Sequence, residues 1–402
     1  PIHNNRSIYL PEKIIVVPIR IPGRDELEPP EKGELAMLSA SKKIRVLVVD
    51  DSILARTMIS NGLKTSPQIE IVGTAFNAQD ARAKVEQLKP NVMTLDVEMP
   101  GMSGIEFLKQ LLPVVPLPVI LVSSLNLRVF DALSAGAVDF IRKPEPGQNE
   151  AFVRTLTSKV ITAASAKVRV QSTPLITPAK PALSSAGGVR LPATGAKPAT
   201  PAPPLLGSRP SLDSVIIALG ASTGGTEATL EVMKRLPADI PPMLIVQHMP
   251  VGFTQMYADR LDRLCHMEVR EAKNGDELRR GLALLAPADF QMRIVRSGTR
   301  YTVSCQPGEK VSGHRPSVDA LFFSMAEQVK CKMAGIIMTG MGRDGADGLL
   351  KMRQAGAYTI GQDKESCVVY GMPMAAYNIG AVQIQGSCED IAGILLRQLQ
   401  KW

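Results

Sequence analysis

A serine in a glycine-rich turn is the first feature of this sequence that could support covalent chemistry. The run GASTG at 220–224 directly follows the apolar stretch 215–219 and precedes a helical pattern. Small neighbours in a G-x-S-x-G run let a serine occupy a sharp strand-to-helix turn with its hydroxyl exposed. Glycine-rich turns also bind phosphates, but this turn has neither the P-loop Gly-Lys-Ser/Thr run nor the G-x-G-x-x-G pattern. We therefore predict that Ser222 is a nucleophile.

Three histidines in the second half of the chain are candidates for the base that a serine nucleophile needs. His248 ends the predicted strand 243–247 and so shares the strand-end position of Ser222. His266 follows a helical stretch without a partner motif, and we predict that it is a surface residue. His314 lies in the run SGHRPSVD, which opens a helix, and we expect it to shape the mouth of the site. The strand-end position makes His248 the predicted base.

A carboxylate should orient the imidazole, and the run IIMTGMGRDGADG offers two. Asp344 is nearer to the strand end, whereas Asp347 is better explained by the first turn of the next helix. We therefore predict the triad Ser222, His248 and Asp344, in which the carboxylate stabilises the charged imidazole. The glycine turn at Met341 leaves backbone N–H groups free to point at an oxyanion. This chain order differs from the Ser…Asp…His order of α/β-hydrolases, so that fold is not expected.

A second cluster of polar residues lies in the first half of the chain, again at strand ends. Asp50 and Asp51 follow the first predicted strand, and Asp96 follows the third. Ser123 ends the fourth strand, and Lys143 follows the fifth. Because functional groups gather at the carboxyl edge of a parallel sheet, we expect all five side chains to converge. Clustered carboxylates need a cation, so this edge is predicted to hold Mg²⁺ and to accept a phosphoryl group on Asp96.

Two runs of alternating strands and helices must position these residues, which makes the fold class α/β. Five β/α units in the first run predict a (βα)5 domain whose parallel sheet is covered on both faces. The second run predicts a doubly wound, mainly parallel α/β domain that carries the hydrolytic residues. We divide the chain into an extension with no assigned function (1–40), a first α/β domain (41–160), a proline- and alanine-rich basic linker (161–212) and a second α/β domain (213–402).

Composition and charge favour a cytoplasmic enzyme. The 402 residues carry a net charge of +8, and the segment 151–212 holds eight basic residues with no Asp or Glu. A solvated basic tether explains this excess, and no helix-turn-helix or zinc-finger pattern accompanies it. No apolar stretch reaches the roughly 18 residues of a spanning helix, and the five cysteines form no C-x-x-C pair. We expect reduced thiols in the core, no nucleic acid partner and no direct membrane insertion.

The motifs around these candidate residues resemble two known families. VLVVDDS, TLDVEMPGMSG, LVSS and VDFIRKP are similar to the receiver domains of bacterial two-component response regulators, over about 43–159. GASTGG, QHMP, GHRPSVD and GMGRDGADG are similar to the catalytic domain of the chemotaxis protein-glutamate methylesterases, from about 215 to the end of the sequence. The combination of a receiver with this catalytic domain is close to diagnostic of a chemotaxis response regulator methylesterase.

The receiver resemblance implies a phosphorylation site and a metal ligand set. It implies that a chemotaxis histidine kinase is the phosphodonor and that Asp96 is phosphorylated. Mg²⁺ would be held by Asp51, Asp96 and the backbone carbonyl of Glu98, with Asp50 assisting through water. All four residues are taken from positions that match the receiver motifs.

The receiver resemblance also implies a set of switch residues. Ser123 would donate a hydrogen bond to the phosphoryl group, and Lys143 would pair with it. Phe140 occupies the aromatic switch position, where many receivers have tyrosine. We hypothesise that the unphosphorylated receiver docks over the cleft of Ser222 and that phosphorylation loosens this contact.

The methylesterase resemblance implies hydrolysis of glutamate methyl esters on the cytoplasmic domains of chemoreceptors, with release of methanol. It also implies deamidation of certain receptor glutamines, with release of ammonia. Backbone amides near Met341 and Thr223 would hold the oxyanion, and the hydrolysis would need no cofactor. Two other classes of function compete: a DNA-binding response regulator, which the glycine-rich α/β pattern after the linker disfavours, and a non-catalytic adaptor, which would tolerate loss of Ser222.

Overall fold

The structure is a computed structural model, and it describes residues 42–124, 129–168, 203–207, 212 and 214–402. The predicted extension and most of the predicted linker lie outside the described residues. Among these residues no helix is long and apolar enough to cross a membrane. All five cysteines are described, and four of them are buried, which agrees with their predicted core positions.

The first α/β domain is built on one parallel sheet. Its strands are β1 (Ile44–Val49), β2 (Ile69–Ala75), β3 (Val92–Asp96), β4 (Val119–Ser123) and β5 (Asp139–Arg142). Their spatial order is β2-β1-β3-β4-β5, and each neighbouring pair is parallel. β3 and β4 are buried along their whole length because helices cover both faces. The predicted (βα)5 fold is confirmed.

Five helices connect and follow these strands. They are α1 (Ile53–Lys64), α2 (Ala78–Leu88), α3 (Gly104–Leu111), α4 (Val129–Ser134) and α5 (Asn149–Ala163). Polar caps define where the first three begin, because Ser52, Asn77 and Ser103 each accept a hydrogen bond from a first-turn amide. α5 continues three residues past the predicted domain boundary at 160.

The second α/β domain contains a larger parallel sheet and a separate hairpin. The strands are β6 (Val215–Ala221), β7 (Met243–Gln247), β8 (Glu268–Glu271), β9 (Leu282–Leu285), β10 (Gln291–Ser297), β11 (Arg300–Gln306), β12 (Lys332–Ile337), β13 (Tyr358–Gln362) and β14 (Ile384–Gly386). Seven of them form a sheet in the order β14-β13-β12-β6-β7-β9-β8, and β10 pairs only with β11, in antiparallel fashion. This confirms the predicted mainly parallel domain.

Six helices accompany the second sheet. They are α6 (Gly225–Met233), α7 (Thr254–Leu264), α8 (Val318–Gln328), α9 (Ala346–Gln354), α10 (Met372–Asn378) and α11 (Ile391–Lys401). From β6 the chain first adds β7, β8 and β9 on one side of the sheet and later adds β12, β13 and β14 on the other side. The strand order therefore reverses at the boundary between β6 and β12. In an open parallel sheet the crevice at such a point is the usual place for a ligand.

Gly220 allows helix α8 to lie directly on strand β6. A Cβ atom at this position would lie 2.2 Å from Cγ1 of Val318 and 2.8 Å from its Cγ2. Val318 is the first residue of α8 and is completely buried. The glycine two residues before Ser222 therefore brings the N-terminus of α8 to the end of the central strands.

We predict that Gly220→Ala destabilises the protein by about 1–3 kcal/mol, because the added methyl group overpacks the contact with Val318. Urea denaturation should show a lower midpoint with an unchanged slope. Gly308→Ala is the matched control, since Gly308 has open space around its Cβ position and no left-handed φ. Equal midpoints for the two variants would contradict the close approach of α8 and β6.

Candidate active site

Ser222 and His248 lie at the ends of adjacent strands. In the pairing of β6 with β7, Ala221 is opposite Gln247, so the next residue on each strand leaves the sheet at the same level. The backbone N–H of His248 donates to the carbonyl of Ala221 at 3.1 Å. On the other side of β6, the N–H of Ser222 donates to the carbonyl of Thr339 at 3.0 Å. Three strand ends are thus tied together around Ser222.

Asp344 follows β12 and is enclosed by the N-terminus of α8. Its Oδ1 accepts hydrogen bonds from the hydroxyl of Ser317 at 2.7 Å and from the N–H of Asp319 at 3.0 Å. Its Oδ2 accepts from the N–H of Val318 at 2.8 Å and lies 2.8 Å from Nε2 of His248. The first turn of a helix offers unpaired N–H groups and a positive dipole end, both of which stabilise a buried carboxylate.

The environment keeps Asp344 ionised. Burial alone would raise the pKa of this carboxyl, but the hydrogen bond and charge of His248 and the amide of Asp319 hold it below the ordinary value of 3.8. Asp347 lies in the first turn of α9 and pairs with Arg343 at 2.7 Å. The structure therefore brings Asp344, and not Asp347, to His248, as the sequence predicts.

The Ser222 hydroxyl and the His248 imidazole make no hydrogen bond with each other in this arrangement. Nδ1 of His248, the nitrogen that does not contact Asp344, is buried and has no hydrogen-bond partner among the described residues. Both side chains line the same cleft. Within the predicted triad, His248 therefore contacts Asp344, whereas Ser222 and His248 are not hydrogen-bonded.

The two predicted oxyanion donors flank Ser222. Thr223 is its neighbour in the chain, and Met341 comes close because Gly340 has no side chain. A Cβ at Gly340 would lie 2.7 Å from the Cβ of Ser222. Within the described part of the chain, neither the N–H of Thr223 nor that of Met341 donates a hydrogen bond. Both amides are therefore available to a ligand at Ser222.

The other two histidines of this domain have different positions. The predicted surface position of His266 is wrong, because only 9% of the residue is exposed. It lies between Cys265 and Met267, which are both buried, so the chain enters the core as it leaves α7. His314 lines the cleft and stacks on His248, with ring centroids 3.9 Å apart.

Residues of the first domain line the same cleft, whose volume is about 690 Å³. Asp139, at the start of β5, accepts a hydrogen bond from the hydroxyl of Thr223 at 2.7 Å and pairs with Lys159 of α5 at 2.7 Å. The hydroxyl of Thr162, also on α5, contacts the sulfur of Met341. Both residues that flank the Ser222 hydroxyl are therefore in contact with the first domain.

Aromatic rings form a second part of the contact between the domains. Phe130 of α4 stacks on Tyr257 of α7, with centroids 5.6 Å apart and planes 21° apart. Phe140 of β5, the predicted switch residue, packs against Phe253 at a centroid distance of 4.7 Å. All four rings are buried, so this contact excludes water.

Arg260 of α7 connects the two domains at the edge of the aromatic cluster. It donates to the hydroxyl of Ser134 of α4 at 2.7 Å and pairs with Glu227 of α6 at 2.9 Å. Its guanidinium lies 5.7 Å from the centroid of the Phe130 ring. The Ser134 hydroxyl in turn donates to Glu227 at 3.2 Å. One buried cation thus joins three elements from both domains.

The predicted phosphorylation site is assembled at the carboxyl edge of the first sheet. Carboxylate oxygens of Asp50, Asp51 and Asp96 lie within 4.8 Å of one another, as ligands of one cation would. Nζ of Lys143 lies 2.6 Å from Oδ2 of Asp96 and 3.0 Å from Oδ2 of Asp50. The second contact is an ion pair without hydrogen-bond geometry, since Asp50 Oδ2 is buried with no hydrogen-bond partner. This acceptor and the oxygen-only ligand set fit a hard divalent cation.

Lys143 offsets part of the negative charge at this site. Burial raises the pKa of Asp96 above 3.8, although Lys143 and the N–H of Glu98, which donates to Asp96 Oδ1 at 3.1 Å, lower it. Burial would lower the pKa of Lys143, but Asp96 and then Asp50 raise it above 10.5. Ser123 is buried beside them and donates to the carbonyl of the next residue at 2.8 Å.

We predict that Asp344→Asn lowers the free energy of unfolding by about 2–4 kcal/mol at neutral pH, because an amide NH₂ would face the donors that the carboxylate accepts from. The lowered pKa of Asp344 means that the carboxylate stabilises the fold above about pH 4 and stops doing so as the pH falls through that pKa. The difference between wild type and variant should therefore shrink in acid. Chemical denaturation at pH 7, 5 and 3.5 measures it.

Asp347→Asn is the matched control, since Asp347 is three residues away and pairs with the exposed Arg343. Its effect should stay within about 0.5 kcal/mol at every pH. A similar, pH-independent loss in both variants would argue against an ionised Asp344 in the folded protein.

Comparison with known proteins agrees with the two-domain architecture. Residues 46–154 match the family model described as response regulator receiver domain, and residues 217–395 match CheB methylesterase. The chain is 46% identical to the protein-glutamate methylesterase/protein-glutamine glutaminase 2 of Syntrophomonas wolfei subsp. wolfei over 347 residues, which is 86% of this chain and 94% of that protein.

Two further relatives carry the name protein-glutamate methylesterase/protein-glutamine glutaminase. The protein of Syntrophotalea carbinolica is 45% identical over 358 residues, covering 87% of this chain and 96% of its own length. That of Escherichia coli O6:H1 is 43% identical over 368 residues, covering 89% of this chain and 97% of its own length. With this identity over nearly the whole length of its relatives, the chain belongs to the family of protein-glutamate methylesterase/protein-glutamine glutaminases that carry a receiver domain.

Proposed function

We propose that this protein is a phosphorylation-regulated serine hydrolase that demethylates glutamate methyl esters on chemoreceptors and deamidates specific receptor glutamines. The observation that carries the proposal is the pair of His248 and Asp344 beside Ser222, at the strand ends of a domain that matches this family. Its substrates would be the cytoplasmic domains of chemoreceptors, and it would act in the cytoplasm in adaptation of chemotaxis-type signalling.

Hydrolysis would proceed through an acyl-enzyme on Ser222. His248 takes the hydroxyl proton of Ser222 at Nδ1, because its Nε2 is held by Asp344. The serine oxygen attacks the side-chain carbonyl of the glutamate ester, and the carbonyl becomes a tetrahedral oxyanion. His248 then protonates the leaving methanol, activates a water molecule and returns the proton to Ser222 after deacylation. The ionised Asp344 stabilises the imidazolium in both half-reactions.

The N–H groups of Met341 and Thr223 would donate to the oxyanion. Neither amide donates to another group of the described residues, so they need not break an existing bond to do so. Removing one oxyanion donor costs about 3 kcal/mol in comparable hydrolases. A primary amide follows the same route as an ester, with ammonia as the leaving group, and hydrolysis is proposed to need no cofactor.

Ser222→Ala should reduce methanol release from a methylated receptor fragment by at least about ten-thousandfold, because the nucleophile is lost. Ammonia release from receptor glutamine should fall in parallel. Ser297→Ala, at an exposed serine at the end of β10, should retain wild-type rates. Undiminished methanol release by Ser222→Ala would exclude a serine hydrolase and favour an adaptor.

The first domain would regulate this activity through phosphorylation of Asp96 by a chemotaxis histidine kinase. Mg²⁺ held by Asp51, Asp96 and the carbonyl of Glu98, with Asp50 assisting, would neutralise the incoming phosphoryl charge. Lys143, now paired with Asp96, would pair with the phosphoryl oxygens instead. Ser123 and Phe140 would change position in response, as switch residues.

Autoinhibition by the unphosphorylated receiver is supported by the contacts around Ser222. Asp139 and Thr162 of the receiver touch Thr223 and Met341, the two proposed oxyanion residues. A receptor helix could not reach Ser222 through a cleft whose wall is formed by α5. Phosphorylation would act on β5, which runs between Asp139 and Lys143, and so would weaken the same contacts.

We predict that Arg260→Ala raises the activity of the unphosphorylated protein by about fivefold to tenfold, because a buried charged hydrogen bond to the receiver is worth roughly 1 kcal/mol or more. Stimulation by a small phosphodonor with Mg²⁺ should become correspondingly smaller, and EDTA should abolish stimulation in wild type. Methanol release is the readout.

Arg263→Ala is the matched control, because Arg263 lies three residues further along the same helix and is exposed. It should leave both the basal rate and the stimulation unchanged. A wild-type basal rate in Arg260→Ala would show that this contact does not restrain the enzyme.

A further inference from the structure

His314 takes no part in the chemistry described above, yet its ring covers one face of the His248 ring. The ring centroids are 3.9 Å apart and the planes differ by only 7°. Nδ1 of His314 lies 3.8 Å from Oδ2 of Asp344, the same oxygen that His248 contacts at 2.8 Å. The orientation and the charge of the two imidazoles are therefore interdependent.

The loop that carries His314 is fixed by its own hydrogen bonds. Val311 and His314 exchange backbone hydrogen bonds of 3.1 and 2.9 Å around a two-residue turn. Ser312 and Gly313 have φ values of 50° and 82°, the left-handed pair that such a turn requires. The buried side chain of Gln291 also donates to the carbonyl of His314 at 3.0 Å. These hydrogen bonds therefore fix the loop that carries the stacked ring of His314.

The hydrogen bond of the His314 ring identifies its tautomer. Nδ1 lies 2.8 Å from the carbonyl oxygen of Ser312, which can only accept, so the proton of the neutral ring is on Nδ1. Burial and then the neighbouring His248 lower the pKa of His314 below 6.5, while Asp344 opposes this shift and Lys310 adds to it. His314 is therefore neutral at neutral pH.

The charged groups around the ring come from three elements. His248 faces it from the end of β7, Asp344 from the loop after β12, and Lys310 from its own loop. The adjacent Arg315 donates to Asp289 at 2.8 Å. The cations near His314 oppose its protonation, and Asp344 is already shared with His248.

We propose that His314 is a positioning residue for the hydrolysis, an inference that rests on the proposed function of Ser222 and His248. Its neutral ring holds the plane of the His248 imidazole, so that Nε2 stays on Asp344 and Nδ1 remains free to take the proton of Ser222. It also shields the imidazolium that forms when His248 takes that proton, because a neutral π face attracts a cation.

Protonation of His314 would reverse this effect. Two imidazolium rings in face contact repel each other, so a charged His314 opposes proton transfer to His248. The activity should then fall in acid with uptake of two protons, one of them on His314. Replacement of His314 by a stacked ring that cannot be protonated should remove one of these two protons.

The test compares His314→Phe, which keeps the stacked ring without a titrating group, with His314→Ala and His314→Gln, which remove the ring. The full chain with a small phosphodonor and Mg²⁺ is assayed for methanol release from a methylated receptor fragment between pH 5.5 and 8.5. We expect kcat of the Ala and Gln variants to fall about threefold to tenfold at pH 8, with KM unchanged. His314→Phe should stay near wild-type kcat at pH 8 and should lose one of the two protons from its acid limb.

Urea denaturation of each variant separates loss of fold from loss of positioning, and His314→Phe keeps the test valid if His314→Ala does not fold. Wild-type kcat in both ring-deleted variants, or an acid limb of His314→Phe that still shows two protons, would overturn the proposal. A rise in KM alone would assign His314 to substrate contact instead. Absence of methanol release from the wild type would refute the proposed function itself, which is a distinguishable result.

Discussion

The buried carboxylate of Asp344 is the constraint on which the second domain depends. A buried charge is stable only if its oxygens are hydrogen-bonded, and here the first turn of α8 supplies three donors. α8 lies close to Asp344 because Gly220 and Gly345 both leave room for the side chain of Val318. The strand order β12-β6-β7, the position of α8 and the orientation of His248 are therefore consequences of one another, and a shift of any of them would leave a carboxylate unpaired.

The receiver uses a short path between its phosphorylation site and the cleft. β5 begins at Asp139, which contacts Thr223, continues through Phe140, which packs on Phe253, and leads to Lys143, which pairs with Asp96. The five consecutive residues 139–143 thus reach both Asp96 and the turn that carries Ser222. A long-range change of conformation is not needed for coupling, because the strand itself reaches both sites.

The sequence predicted well the positions of residues that follow apolar strands or lie in glycine turns. Ser222, His248 and Asp344 follow apolar strands, so their meeting at one edge follows from parallel pairing alone. The pattern did not identify β8, β10, β11 or β14. Charges interrupt the apolar residues of β8 (EVRE) and β10 (QMRIVRS), polar residues separate those of β11 (RYTVSCQ), and β14 (IQG) has only three residues. The mainly apolar run at 137–141 alone would predict a strand that begins two residues too early, since β5 spans Asp139–Arg142 and residues 137 and 138 belong to the preceding loop.

Contacts between the domains lie beyond such patterns. Arg260 and Ser134 are 126 residues apart, and neither has a motif that points to the other. The sequence places Thr223 in a turn, but it does not predict the hydrogen bond from its hydroxyl to Asp139. The prediction of a surface position for His266 failed for a related reason, since a polar residue between two buried ones follows the chain into the core.

The open link between Ser222 and His248 has a physical explanation in the same contacts. Asp344, which the N-terminus of α8 encloses, holds His248 from one side through its contact with Nε2. The turn of Ser222 is held from the other side, where Asp139 accepts the hydroxyl of Thr223. The contact between His248 and the buried carboxylate of Asp344 is thus already assembled, and a hydrogen bond from the Ser222 hydroxyl to His248 is the contact that the proposed mechanism still requires.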